Sequence, residues 1–432
     1  MSFLYDFLSA SNRFLWNGPL LILLLFTHIF FTFRLGFVQR RIPAALRLSA
    51  DEEKKQGFRS LTTALAATLG TGNIVGVSSA VALGGPGAVF WCWITGLLGM
   101  ATAYAECYLC MKHQKKDTDG SLQGGIMYVL EHGVKKKTAG KIYAFLLLVA
   151  SFGIGCSTQA GTVTETVSAF IDLSPAVTGV FLVLAVGYVI LHGSSAITKL
   201  CSILVPSMAC MYLFACLIIL ILNHTYLLPA LRLIVISAFS PTAALGGIAG
   251  GSFLFSARYG IARGLFTNEA GLGTAPLAFT GDKESSPEKA ALLSMSAVFW
   301  DTVILCALTG ILIVSSLLRN PSLGEAYTAT TLTSAAFSML PFGELLLSVS
   351  LIAFAYATLI GWSYFGARGV QYLFGKQSLK TYRFCYLGMI FIGSVLSLPL
   401  IWEMTDFINA CMALPNVFAL FLLRREIRPP KA

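Results

Sequence analysis

Long runs of apolar residues, separated by short polar segments, set the pattern of this chain. A helix needs about 20 mostly apolar residues to cross the roughly 30 Å hydrocarbon core of a bilayer, at about 1.5 Å of rise per residue. Runs of that kind predict eleven spans, at residues 15–33, 60–82, 87–111, 142–170, 176–192, 197–222, 246–266, 290–318, 343–367, 383–400 and 404–423. They are continuously apolar and lack the two-residue alternation of membrane-barrel strands. The first span has no small-residue cleavage site after its apolar core, so it reads as a retained helix and not as a signal peptide. The fold class expected is an all-α polytopic membrane protein.

Composition agrees. Of 432 residues, 56% are hydrophobic and only 12% charged, against about 25% charged in soluble proteins. The net charge of +10 could suggest nucleic acid in a soluble chain, but here its positions matter more. Of the 30 Lys and Arg, 27 fall in one alternate set of loops and adjoining span ends (34–59, 112–141, Lys199, 258–289, 368–383 and 424–431), and only Arg13, Arg232 and Arg319 in the other. Such bias marks the cytoplasmic side, placing the N-terminus outside and the C-terminus in the cytoplasm of a cell (plasma or inner) membrane. The ten cysteines lie mostly singly inside apolar runs, at no disulfide-framework spacing.

Two segments resist a plain helical reading. Gly70-Thr71-Gly72-Asn73-Ile74-Val75-Gly76 interrupts the second span, and Gly246-Gly247-Ile248-Ala249-Gly250-Gly251-Ser252-Phe253 opens the seventh. Each lies in the first helix of a five-helix set, 60–222 or 246–423, with 1–59 a leading helix and basic loop, 223–245 an external connector and 424–432 a cytoplasmic tail. Five is odd, so the second set is expected to be inverted relative to the first. Interrupted spans at matching positions of inverted halves point to a transporter's central site. Unwound backbone in hydrocarbon leaves donors and acceptors unpaired at several kcal/mol each, so it persists where substrate, ions or water satisfy them. A restarted half-helix presents N–H groups that suit a carboxylate, and the carbonyls freed on the other side suit a small cation. The alternative is that these glycines merely allow close helix crossing.

Several pieces of the chain, in order, resemble the alanine or glycine:cation symporter family: Gly70-Thr71-Gly72-Asn73-Ile74, Ala82-Leu83-Gly84-Gly85-Pro86-Gly87-Ala88-Val89-Phe90-Trp91, Gly124-Gly125-Ile126-Met127-Tyr128, Arg263-Gly264-Leu265-Phe266-Thr267-Asn268-Glu269-Ala270-Gly271-Leu272-Gly273-Thr274-Ala275-Pro276 and Gly361-Trp362-Ser363-Tyr364-Phe365-Gly366. The resemblance implies the inverted-repeat fold of the leucine transporter, with broken first and sixth core helices, and sodium-coupled movement of a small amino acid (alanine, D-alanine or glycine). It implies that the Thr71 and Gly72 backbone holds the substrate carboxylate, that Asn73 supports the turn, that Gln159 lines the pocket and that Phe253 closes one wall. Thr358 and Trp362 share a helical face, and Trp362 would limit the side chain accepted. A sodium ion would sit between carbonyls of Ala66, Leu69 and Ala355 and the hydroxyl of Thr358. The chain departs from the family at Ala160-Gly161, where the pocket glutamine is usually followed by Ala-Asn, and it carries an acid at Glu165.

Ionisable residues within spans are functional candidates. Glu106 and Asp301 read equally well as members of interhelical hydrogen-bond networks, and Glu269 is expected to pair with Arg263 or another loop cation. Cys107, Cys110 and His113 offer only three local metal ligands where zinc takes four, so the one metal expected is the coupling sodium. No nucleophile, base and acid cluster suggests an enzyme, and no phosphate-binding Gly-x4-Gly-Lys motif is present. The expectation is therefore a sodium-coupled symporter working by alternating access. A proton-coupled carrier using Glu165 is the runner-up, and a channel or membrane-embedded enzyme the reading from another class. The partners expected are a small neutral amino acid and the bilayer, with no nucleic acid and no obligate protein partner.

Overall fold

A computed structural model describes residues 2–16, 18–50, 55–117, 120–240, 253–281, 286–326, 331–396 and 398–430. The apolar runs become helices, and proline and serine set several of their starts. Helix α1 (Ser2–Trp16) leads into α2 (Pro19–Arg34), which opens on a proline whose missing N–H costs nothing at a first turn. A short α3 (Ile42–Ser49) precedes α4 (Lys55–Thr68) and α5 (Val75–Gly84), the two halves of the interrupted second span. Helix α6 (Gly87–Lys112) is followed by a small hairpin, β1 (Lys115–Lys116) against β2 (Leu122–Gln123).

The next span is α7 (Lys137–Phe152) and α8 (Thr158–Ser168), joined by a π-helical turn at Gly153–Ser157. Helices α9 (Pro175–Leu191), α10 (Ser194–Leu222) and α11 (His224–Phe239) follow, α9 being capped by the Ser174 hydroxyl on the Val177 amide. Helix α12 (Phe253–Asn268) ends in an irregular segment. Helices α13 (Pro287–Val298) and α14 (Ala307–Arg319) flank another π-helical stretch, Phe299–Cys306. The chain closes with α15 (Leu332–Phe337), the long α16 (Gly343–Phe374), α17 (Leu379–Val395) and α18 (Leu398–Leu422).

Among the described residues, seven helices are long and apolar enough to cross a bilayer, and the pair α4 and α5, bent by 65°, passes the same test when taken together, which makes eight if the pair is one span. Helices α9 and α11 are apolar but shorter. Residues 224–239, within the segment read as an external connector, are helical.

Glycine decides how closely the central helices approach. A Cβ at Gly260 would lie 2.3 Å from the Ala88 carbonyl oxygen and one at Gly264 3.2 Å from that of Cys92, so α12 lies directly on the backbone of α6. Small residues four apart let helices meet in this way where lipid supplies no hydrophobic drive between them. Helix α16 uses Gly361 likewise, where a Cβ would lie 2.7 Å from the Ala67 amide nitrogen on α4. These contacts bring α4, α6, α12 and α16 together around the bend.

Candidate functional site

The bend is built by its own sequence. Helix α4 stops at Thr68, Gly70 is extended (φ −123°, ψ −161°), and Thr71–Asn73 form one 3-10 turn before α5 restarts at Val75. Asn73 holds the turn: its Oδ1 accepts the Gly70 N–H at 3.1 Å. In an unbroken helix that N–H would bond the carbonyl of Ala66. The side chain therefore takes the donor that Ala66 would use and leaves a carbonyl at the helix end. On the other side, the amides of Thr71 and Gly72 open a helical start and have no preceding turn to bond.

Asn73 is itself anchored. Its Nδ2 donates to Asp301 Oδ1 at 2.7 Å and to the Asp301 carbonyl at 3.2 Å, while Asp301 Oδ2 accepts the Thr302 hydroxyl at 2.7 Å. Asp301 lies in the π-helical stretch Phe299–Cys306, where the wider turn alters the direction of side chains along the span. The π turn Gly153–Ser157 serves the opposite wall, since Gln159 Nε2 donates to the Ile154 carbonyl at 3.3 Å. Gln159 Oε1 lies 3.5 Å from Thr71 Oγ1. Thr358 Oγ1 donates to Leu69 O at 3.3 Å and to Phe354 O at 3.0 Å, and a Cβ on Gly70 would stand only 3.0 Å from that hydroxyl and 3.7 Å from the Gln159 amide. Gly70, Thr71, Gln159 and Thr358 thus converge, and Thr358 and Leu69 place two oxygens within reach of one cation. Ala66 and Ala355 are fully buried, and Ala355 precedes Thr358 on α16 by one turn.

Beside this cluster lies a cavity of about 680 Å³, lined by Thr71, Gly72, Gly76, Glu165, Arg263, Phe266, Glu344 and Trp402 among others. It opens where α8 ends and α16 begins, away from the Lys-rich loops 112–141 and 368–383. Phe266 and Trp402 form an aromatic pair across it, with centroids 5.9 Å apart.

One expectation changes. Phe253 does not wall this site: it opens α12, packs edge-on against Trp91 at 5.8 Å and is substantially exposed. It lies 14 residues before Thr267, about 20 Å along a helix, while Phe266 and Thr267 are the residues that face Gly72, at 3.6 and 3.1 Å from its would-be Cβ. A further irregular segment follows the same helix. Residues 246–252 lie outside the described residues, α12 is continuous from Phe253 to Asn268, and the chain then leaves helix at Glu269–Thr274, with positive φ at Glu269, Gly271 and Gly273. The signal for this was the paired glycines of the 263–276 motif, which is more polar and therefore less conspicuous than the glycine run before it.

That second irregular segment is satisfied by side chains. Glu106 Oε1 accepts the Gly271 N–H at 2.8 Å and the Asn416 amide, Asn416 also donates to Gly271 O at 2.7 Å, and the Tyr143 hydroxyl donates to Leu272 O at 2.7 Å. Glu106 and Asp301 therefore both sit in interhelical hydrogen-bond networks. Glu269 does not pair with Arg263: its carboxylate accepts the Thr274 hydroxyl, whereas the Arg263 guanidinium stacks over Phe266 at 5.8 Å. The reason is the left-handed residue at Glu269, which turns its side chain inward. Trp362 is fully buried one turn from Thr358, packed on Gly155, and its indole N–H neighbours Glu269 without a well-formed hydrogen bond. It is not among the residues that line the cavity. His113, the third residue of the Cys107-Cys110-His113 set, turns to Glu426 at 3.1 Å.

The sodium:alanine symporter family profile matches residues 1–429. A sodium/alanine symporter of Methanococcus maripaludis is 42% identical over 97% of this chain and 95% of its own length. A probable sodium/glutamine symporter of Bacillus subtilis is 34% identical over 96% and 88%. Among solved structures, a Na+-coupled sialic acid symporter in a substrate-bound, outward-open state aligns with TM-score 0.56 at 12% identity, covering 96% of this chain and 99% of that one. MhsT in complex with L-phenylalanine aligns with TM-score 0.54 at 15% identity, over 84% and 88%. At those identities the likeness concerns the fold, which is of the leucine-transporter type.

Proposed function

This chain belongs to the sodium:alanine symporter family, whose members are transporters and not enzymes, and from that premise we propose that it couples inward movement of a small neutral amino acid to sodium. The observation that carries the reading is the buried turn Gly70–Asn73, at which Gln159 and Thr358 converge beside a cavity of about 680 Å³. The amides of Thr71 and Gly72 hold the substrate carboxylate, and Gln159 bonds its polar groups. Sodium takes the Leu69 and Ala66 carbonyls, the Ala355 carbonyl and the Thr358 hydroxyl, which rotates from donating to Leu69 to accepting the ion. Because Leu69 and Thr71 flank one bend, cation binding fixes the backbone that the carboxylate needs. Phe266 replaces Phe253 as the wall, and Trp362 supports the floor from behind.

The same reading counts eleven spans: the eight crossings above plus α9, α12 and α17, arranged as one leading helix and two inverted sets of five. The cavity faces outside, opposite the basic loops, so the arrangement is the outward-open one, and rocking of the broken helices exchanges the open side. Gly161 removes an amide that the family usually places near the pocket glutamine, which leaves room for a substrate larger than alanine. The name of the glutamine relative agrees with such room.

Uptake of labelled glycine, L-alanine, D-alanine and L-glutamine into proteoliposomes, with sodium exchanged for potassium, tests this. Saturable uptake that needs sodium, with KM raised about tenfold or more in Gln159→Ala, is expected. The second reading, proton coupling, is favoured by the position of Glu165 on the cavity wall. Uptake that ignores sodium, follows an imposed pH gradient and is lost in Glu165→Gln would replace the first reading with it.

A further inference from the structure

At the opposite, lysine-rich end of the bundle lies a second cavity, of about 710 Å³, between the β1–β2 hairpin, the start of α7 and the end of α16. Five lysines line it, Lys115, Lys116, Lys137, Lys141 and Lys376, against two acids, Asp117 and Glu131. The acids are engaged: Asp117 lies 3.1 Å from Lys376, and Glu131 accepts the Tyr372 hydroxyl at 2.8 Å and faces Lys137 at 3.8 Å. Lys115, Lys116 and Lys141 form no ion pair among the described residues, and all three are exposed. The cavity therefore carries a surplus of positive charge converging on one concave space.

Its surroundings say what kind of anion fits. Phe374, on the rim, is 62% exposed, and on α7 the residues just beyond Lys141, Ile142 and Phe145, are 54% and 56% exposed. Lys141 and Phe145 are four apart and share a helical face. In a spanning helix this is the order of a membrane boundary, with cations at headgroup level and apolar side chains against acyl chains. A free inorganic anion would use the lysines and leave the aromatic rim without a role. Basic pockets between spans on the cytoplasmic side hold anionic lipid headgroups, with each surface Lys or Arg worth about 1 kcal/mol.

We propose that this cavity is a binding site for the phosphodiester headgroup of an anionic phospholipid, with Lys115, Lys116 and Lys141 contacting the phosphate and Phe374 and Phe145 contacting the chains. The lipid bridges the hairpin after α6 to the end of α16, two elements joined in this conformation by Gln371, whose amide donates to Asp117 at 3.3 Å.

The test uses the full chain, delipidated in neutral detergent, with its melting followed while dioleoyl phosphatidylglycerol, dioleoyl phosphatidylcholine, inorganic phosphate and glycerol phosphate are added separately. Phosphatidylglycerol is expected to raise Tm saturably, with a half-saturating concentration at least about tenfold below that for phosphatidylcholine. In Lys115→Gln/Lys116→Gln/Lys141→Gln that concentration rises about tenfold or more, while the equal charge loss of Arg41→Gln/Arg47→Gln/Arg425→Gln changes it less than about twofold. The single variants Lys115→Gln and Lys141→Gln, expected to give about fivefold each, replace the triple if it does not fold. Equal effects of the two lipids, equal losses in the two triples, or unchanged affinity in the lysine variants would overturn the site. Stabilisation by inorganic or glycerol phosphate matching that by phosphatidylglycerol would overturn the lipid as occupant.

Discussion

Asn73 shows how much one side chain can hold. It closes the turn through Gly70 and anchors the turn to Asp301, so that a single amide both frees a carbonyl of α4 and fixes where α5 restarts. Asn73→Ala leaves the buried Asp301 carboxyl without its 2.7 Å donor. A lost hydrogen bond to such a group costs about 1.5–3 kcal/mol. The expected outcome is a lower Tm together with loss of sodium-dependent uptake, and Asn73→Asp, which keeps the acceptor for Gly70 but not the donor, is expected to preserve less than about a tenth of wild-type uptake. Wild-type transport in Asn73→Ala would show that the turn does not need its anchor.

Gly361 makes a different kind of demand. A methyl group there would come within 2.7 Å of the Ala67 backbone nitrogen, and backbone cannot swing aside as a side chain can. Gly361→Ala should push α16 from α4 and separate Thr358 from Leu69, which are now 3.3 Å apart. Half-maximal sodium for uptake is expected to rise about tenfold or more, with a smaller change in substrate affinity at saturating sodium. Equal shifts in both would place the sodium oxygens elsewhere.

At the level of elements, the spans are positioned by what interrupts them. The bend between α4 and α5, the π-helical turns Gly153–Ser157 and Phe299–Cys306 and the loop Glu269–Thr274 lie on four different stretches of chain, and three of them contribute directly to the cluster around Gly70 and Asn73. At the other end, Arg368 on α16 reaches across elements: its Nη1 donates to Gln123 Oε1 at 2.6 Å on β2, and its Nη2 to the Thr280 carbonyl at 3.2 Å and to the Tyr364 hydroxyl. Gln123 precedes the α7 span and Thr280 follows the second irregular segment, so one guanidinium ties three elements at the end opposite the open cavity. Arg368→Ala is expected to loosen this closure. A cysteine placed at Ser194, beside the neighbouring cavity that Arg368 lines, should then react with a membrane-impermeant maleimide several-fold faster from the basic side. An unchanged rate would assign Arg368 a purely local role.

Over the whole molecule, the C-terminal tail closes against α6. Glu426 meets Lys112 at 2.8 Å and His113 at 3.1 Å, the Tyr104 hydroxyl donates to Arg428 O at 3.1 Å, and Ile427 is buried. The hydrogen bond from Lys112 comes first among the causes that hold the Glu426 carboxyl below its ordinary value of 4.5. A carboxyl depressed in the folded state contributes stability at pH above its unfolded value, and that contribution is lost as pH falls through the folded one. Glu426→Gln should therefore melt below wild type at neutral pH, and the difference should shrink once pH drops under about 4.5. A difference independent of pH would mean that the tail is held by Ile427 and backbone contacts alone.

The sequence by itself determined that this chain is a membrane-spanning bundle of helices, because run length against bilayer thickness leaves no other economical structure for such apolar stretches. It also located the first interruption, since Gly70, Gly72 and Asn73 are local signals and the turn they make is local. The irregular segment Glu269–Thr274 was not legible in the sequence, for a physical reason. A glycine run is conspicuous whether or not it breaks a helix, while the turn at Glu269–Thr274 depends on partners far away in the chain, Glu106, Tyr143 and Asn416. The same holds for Phe266 in place of Phe253, and for Asp301 behind Asn73. Helical period tells which residues share a face, but which face meets which is set by the close glycine contacts between α6 and α12 and between α4 and α16, and those exist only once the bundle has packed.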